Sequence, residues 1–287
     1  MPLSEILVEK YEKYWEFNYL CVNSSVPWND NLLQKYEEKW NWRGVSLSIK
    51  SKLTEDLLCK HIDKWNWEFL SDNFTNWNDN LINKFKYKIN WKGTFSISSN
   101  DTAWSMQMIK KYENEFDWDI LSSNRSIPWD EYHIKYFEEK INFKELCKNQ
   151  SIEWSLELLE KYESLWDWQQ LSKNVKLLWS EELIDKYQTR WNWDEINHRT
   201  NFSSNQSLPW SESFIDKYSE RWNWKHLFYN KGINWTVKLL HKHSDKLVCS
   251  YYDTPSPIWN ELKQYIDDEL VIKLLEDIKN GKIELNN

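Results

Sequence analysis

Glycine is almost missing from this chain, with 4 in 287 residues, and proline is sparse at 6. So few flexible residues exclude the glycine-rich loop that cradles phosphates, and no G-x-S-x-G, H-E-x-x-H or C-x-x-C pattern occurs. The four cysteines, Cys21, Cys59, Cys147 and Cys249, are too scattered for a disulfide or zinc framework and read as reduced thiols. No apolar run approaches the ~20 residues of a membrane-spanning helix. The opening residues, MPLSEILVEKYEK, lack the apolar core of a signal peptide, so a cytoplasmic protein is expected. A formal net charge of −8 argues against general duplex nucleic-acid binding and against anionic membrane surfaces. The histidines are dispersed, and His241 and His243, two apart on a helix, do not face one metal. Nothing here supports an enzyme, a cofactor or a metal.

Tryptophan is what the chain has in excess. Of 22 Trp residues, 21 fall into three columns of a repeat recurring about every 25 residues. Clear copies read SIEWSLELLEKYESLWDWQQLSKN (151–174) and SLPWSESFIDKYSERWNWKHLFYN (207–230). Ten copies begin at residues 3, 28, 53, 77, 104, 129, 154, 179, 210 and 235, with Leu3 and Leu53 standing in for the first Trp. The second and third columns lie 12 and 14 residues further on, as in Trp166 and Trp168. One unit this short cannot bury its own apolar face, so the period means a stacked array.

Each copy reads as a helix followed by a shorter one. The residue after the first column is Ser4, Asn29, Thr54, Asn78, Ser105, Asp130, Ser155, Ser180, Ser211 or Thr236, all helix N-cap formers. Apolar residues follow at offsets 4, 5, 8 and 12, such as Leu158, Leu159, Tyr162 and Trp166, which cluster on one helix face. That stripe predicts about three turns, ending near offset 12 or 13. The Asn or Asp between the paired aromatics (Asn41, Asn66, Asp117, Asp167, Asn192, Asn223) is placed to cap the short second helix. Ser172 and Asn174 typify a closing pair suited to a polar turn. Cys21 and Cys147 take the serine position, where buried thiols are expected.

The expected fold is therefore all-α: an α-solenoid of about ten tandem Trp-rich helix–turn–short-helix repeats over 1–252, with a charged helical cap over 253–287. The pairing resembles the general class of α-solenoids such as tetratricopeptide and HEAT repeats. Its period is shorter, and the tetratricopeptide pattern of small residues at helix contacts is missing.

Three features bear on function. The Trp columns invite a sugar- or base-stacking reading, but two of them sit on the buried stripe and read as core. Offset 7 is lysine in nine copies, among them Lys60, Lys84, Lys111, Lys161, Lys186 and Lys217, and offset 11 is basic in seven, including Arg190 and Arg221. Stacking would align them into a basic ribbon, read either as helix-stabilising surface or as an anion-binding strip. Finally, the copy beginning at 179 gains about six residues around His198, Arg199 and Phe202, and a smaller insertion falls near Ser98–Asn100. Insertions in repeat arrays map to loops, often on the binding face. The functional expectation is a non-catalytic scaffold that binds another macromolecule, a protein in the first place. The alternative is a module that sequesters a phosphorylated small molecule or oligonucleotide on the ribbon.

Overall fold

The computed structural model describes residues 3–102, 104–193, 202–243 and 246. Among these the chain is all-helical, with 17 α-helices, four 3-10 helices and no strand. It divides into two compact units, Met1–Lys161 and Tyr162–Asn287, the boundary falling inside the seventh copy. The helical cap expected at 253–287 lies outside the described residues, as do His198, Arg199 and Cys249.

All ten cap residues accept the backbone N–H three positions on. Leu32 N–H donates to Asn29 Oδ1 at 2.8 Å, His133 N–H to Asp130 Oδ1 at 2.8 Å and Leu239 N–H to Thr236 Oγ1 at 3.2 Å. The other seven caps repeat this bond. Each satisfies a donor that the helix itself leaves without a partner.

The helices that follow are shorter than the apolar stripe suggests. Asp30–Lys35, Glu55–Lys60 and Glu181–Lys186 have six residues each and stop at offset 7. The residue at offset 8 leaves α geometry, with Tyr36 at φ −116° and ψ 27°. A tighter turn then runs to the second Trp column, where the Lys39 and Trp40 N–H groups both donate to the Tyr36 carbonyl, at 2.8 and 3.1 Å. That turn swings the offset-12 ring back under the helix, so Leu32, Leu33, Tyr36 and Trp40 are all buried. The burial pattern of a three-turn helix is met by less than two turns and a turn.

The tryptophans complete this early stop. Trp40 Nε1 donates to the Leu32 carbonyl at 3.1 Å and Trp65 Nε1 to Leu57 at 3.2 Å. Trp191 and Trp222 donate in the same way to Ile184 and Ile215, at 3.1 and 3.0 Å. Third-column indoles reach five residues back, Trp67 to the Ile62 carbonyl at 2.9 Å and Trp193 to Gln188 at 2.8 Å. Their rings pack on the next copy: the Trp168 centroid lies 4.6 Å from Tyr187 and 4.9 Å from Trp191. Asn66, Asp117, Asp167 and Asn223 cap the second helices, as their position predicts.

The serine and asparagine expected in a polar turn are instead buried bridges between copies. In the first unit Ser122 Oγ donates to the Trp118 carbonyl at 2.6 Å and accepts the Asn142 N–H of the next copy at 3.0 Å. In the second, Ser172 does the same with Trp168 at 2.7 Å and Asn192 at 2.9 Å. Cys21 fills this position with a buried thiol whose Sγ accepts the Asn41 N–H at 3.1 Å. Asn124 donates to the Ser98 and Asn100 carbonyls, both at 2.9 Å, while its Oδ1 accepts the Ser126 N–H at 2.8 Å. Asn230 repeats the bond to Ser203 and Asn205 at 2.9 and 3.1 Å. Loop carbonyls facing a neighbouring copy need partners, and a short amide supplies two donors at once.

Candidate interaction surfaces

The lysine column is exposed and lies off the apolar stripe, as expected, but seven of its nine ammonium groups, those of Lys35, Lys60, Lys84, Lys111, Lys161, Lys217 and Lys242, meet an acid of the preceding copy. Lys60 reaches Asp30 at 2.8 Å, Lys84 Glu55 at 2.6 Å, Lys111 Asp79 at 2.8 Å and Lys161 Glu131 at 2.6 Å. In the second unit Lys217 reaches Asp185 at 2.6 Å, and Lys186 lies over the Tyr187 ring. Offset 11 behaves alike. Arg190 pairs with Glu163 at 2.8 Å, while Arg221 donates to the Gln188 carbonyl at 2.9 Å and stacks over Trp193. The acids stand at offsets 2 and 6, or 9 and 10, of the copy before. They are visible in the sequence once the search leaves the lysine's own helix.

These contacts shift both partners. The hydrogen bond from Lys60 holds Asp30 below the usual aspartate range, and Lys111 does the same for Asp79. Bonds to Asp30, Glu55, Asp79 and Asp185 raise Lys60, Lys84, Lys111 and Lys217 above the usual lysine value. The ribbon is thus an ion-pair ladder with acids interleaved.

Tyrosine at offset 8 joins the same acids: the Tyr112 hydroxyl lies 3.1 Å from Asp79 Oδ1, and the Tyr218 hydroxyl bonds Asp185. Burial, then that bond, pushes Tyr218 up to about 12. His61 and His243 occupy this column, buried, and contact Asp30 at 3.3 Å and Asp216 at 2.9 Å. No group of three metal-ligating side chains occurs among the described residues.

Phe202, expected on a partner-facing loop, is a core residue instead. It is fully buried, parallel to Trp191 at 5.6 Å and edge-on to Trp193 at 4.8 Å. Ser203 beside it takes the bridging serine role, accepting the Asn223 N–H at 2.9 Å, which draws this segment inward. The smaller insertion is displaced from its expected place as well. Ser98 and Asn100 hold ordinary bridging bonds, to Asp117 N–H at 3.0 Å and to the Phe74 carbonyl at 3.0 Å. The additional residues are taken up over 92–96, where Gly93 adopts φ 89°, a conformation that favours glycine.

The same fourth copy borders a cavity of about 430 Å³ at its junction with the fifth. Asn83, Lys86, Tyr87 and Trp91 line it from one side, Asn114 and Glu115 from the other. Here the usual polarity is inverted. Offset 9, acidic in Glu12, Glu37, Glu113 and Glu163, is Lys86, and offset 11, basic in seven copies, is Glu115. Neither charge makes a hydrogen bond or ion pair with a described residue; Lys86 Nζ lies 4.6 Å from the Tyr87 ring centroid. Tyr87 itself is 89% exposed. Reading the columns for regularity passes over these residues, because their signal is a departure from the column.

No protein-family model, curated protein or solved structure matches the chain.

Proposed function

We propose that the copies stack as an α-solenoid and that the protein is a non-catalytic, intracellular scaffold whose surface binds another protein. The bridging serines and asparagines and the ion-pair ladder support stacking, because each copy's polar groups are completed by its neighbour. The free thiols Cys21, Cys59 and Cys147 fit a reducing compartment.

The observation that carries the binding reading is a set of strongly exposed tyrosines. Tyr14, Tyr19, Tyr87, Tyr132 and Tyr136 are 51–89% exposed, whereas the Trp columns beneath them repeat copy after copy. Tyrosine offers a large, stiff, amphipathic surface at small entropic cost and is enriched where proteins meet. An anion-binding ribbon is the weaker reading, since ammonium groups already beside carboxylates offer a polyanion little uncompensated charge.

The test is affinity capture with the full chain and with a Tyr14→Ser, Tyr87→Ser, Tyr132→Ser variant, followed by mass spectrometry. A specific protein recovered by the native chain should fall by roughly tenfold or more with the variant, helicity being unchanged. Recovery of a polyanion in its place, or equal recovery by both chains, contradicts the proposal.

A further inference from the structure

We infer that the cavity between the fourth and fifth copies binds an extended peptide segment carrying one basic and one acidic side chain. The inference rests on the protein-binding reading above and names where and what the site takes. Junctions on either side are closed by ion pairs: Lys64 with Glu38 at 3.1 Å, Lys88 with Asp63 at 2.8 Å and Lys140 with Glu113 at 3.7 Å. At this one, the inverted pair Lys86 and Glu115 lines the opening from opposite copies without meeting. Two uncompensated charges of opposite sign beside one cavity are what a doubly charged peptide would neutralise.

The rest of the lining fits the same ligand. Trp91 is fixed by its indole bond to the Lys86 carbonyl at 2.9 Å and by packing on Tyr112 at 5.4 Å, so it offers a preset apolar wall. Tyr112 and Lys111 are held by Asp79 and add no free charge. The Asn83 side chain has no hydrogen-bond partner among the described residues, and that of Asn114 uses only its oxygen, for Lys140 at 2.8 Å. An amide carries both donors and acceptors and matches a peptide backbone on either group. A neutral sugar would leave both charges without partners, and a nucleotide phosphate would satisfy Lys86 while meeting Glu115 with repulsion.

A printed array of random octapeptides, with a glycan array beside it, is probed with the full chain. The native chain should select peptides with Lys or Arg and Asp or Glu separated by apolar residues. Lys86→Glu combined with Glu115→Lys restores the polarity of the other junctions and should cut those signals at least roughly tenfold, with an unchanged or higher unfolding midpoint. Asn83→Ala, at an exposed position without internal bonds, should weaken the same peptides several-fold. Selection of no peptide, selection of glycans, or signals that survive the exchange overturn the assignment. If the exchanged chain still captures the cellular partner, protein binding stands and this cavity is not its site; if the native chain captures none, the broader reading falls.

Discussion

Lys110 holds its ammonium 3.7 Å from the ring centroid of Tyr136, and each residue accounts for the other. The fifth copy has Met106 at offset 2, where its neighbours place the carboxylates of Asp79 and Glu131, and Lys110 at offset 6. A lysine at offset 7 of the sixth copy would meet only Lys110, and that position is the single one of ten filled otherwise, by Tyr136. A cation over an aromatic face replaces an ion pair. Charge compensation among the described residues therefore runs mainly between copies, with Lys60–Asp56 at 3.6 Å a pair along one helix.

That relationship sets a first prediction. Tyr136→Lys should lower stability, and adding Lys110→Glu should restore it by rebuilding the ordinary pair. For the native contact, a double-mutant cycle over Lys110→Ala and Tyr136→Ala, read by urea unfolding, should show a coupling of about 0.5–1 kcal/mol. Strict additivity would mean the two side chains are neighbours without interaction.

The bridging serine gives a second. Ser122→Ala leaves the Asn142 N–H without its partner in a dry contact and should cost about 1–3 kcal/mol in chemical denaturation. Ser122→Cys should cost less, because Cys21 already serves the same bond to Asn41. Equal losses in the two variants would show that sulfur does not replace the hydroxyl as the acceptor of the Asn142 N–H at this site.

Much of this was legible from spacing alone. Cap residues announce themselves by side-chain chemistry one position after the Trp, and ten of ten accept the expected bond. Helix length was not legible, because an apolar stripe records which positions are buried and Trp40 is buried by a turn as well as by a helix. The roles of Ser122 and Asn124 were hidden for a related reason. Polar residues between helices read as surface turn, and only the stacked neighbour shows that they face its carbonyls. Phe202 reads as loop because it lies within an insertion; its burial depends on Trp191 and Trp193, which lie earlier in the same copy.

For the tryptophans the third prediction separates packing from hydrogen bonding. Trp65 is buried against Trp42 at 5.0 Å, with its indole on the Leu57 carbonyl. Trp65→Ala should cost on the order of 3–5 kcal/mol. In Trp65→Phe most of the ring volume stays and the N–H is lost, so a smaller loss is expected, the bond itself contributing about 1 kcal/mol. A loss below about 1 kcal/mol in the alanine variant would contradict a packed column.

The last prediction concerns the ladder and pH. Asp30, Asp79 and Asp185 are held below the usual aspartate range by hydrogen bonds from Lys60, Lys111 and Lys217. A depressed folded-state value means the unfolded chain binds the proton more tightly. Their stabilisation is therefore complete above the unfolded value and is lost as pH falls through the folded one. The lysines are raised by the same bonds, so their share is complete below the ordinary lysine value and is lost as pH rises through the higher folded one. Tyr218, pushed up to about 12 by burial and Asp185, adds to that alkaline loss, since folding favours its neutral phenol. The unfolding midpoint should hold level from about pH 5 to about pH 10 and fall on both sides. Added salt should shrink both limbs, because the pairs are exposed and screened. Asp79→Asn should flatten the acid limb without altering the alkaline share of Lys60 or Lys217. A midpoint that stays constant down to about pH 2 would show that the ladder contributes nothing to folding. Its regular spacing would then need an external ligand to explain it, which a salt-sensitive rise in the midpoint with added polyphosphate would reveal.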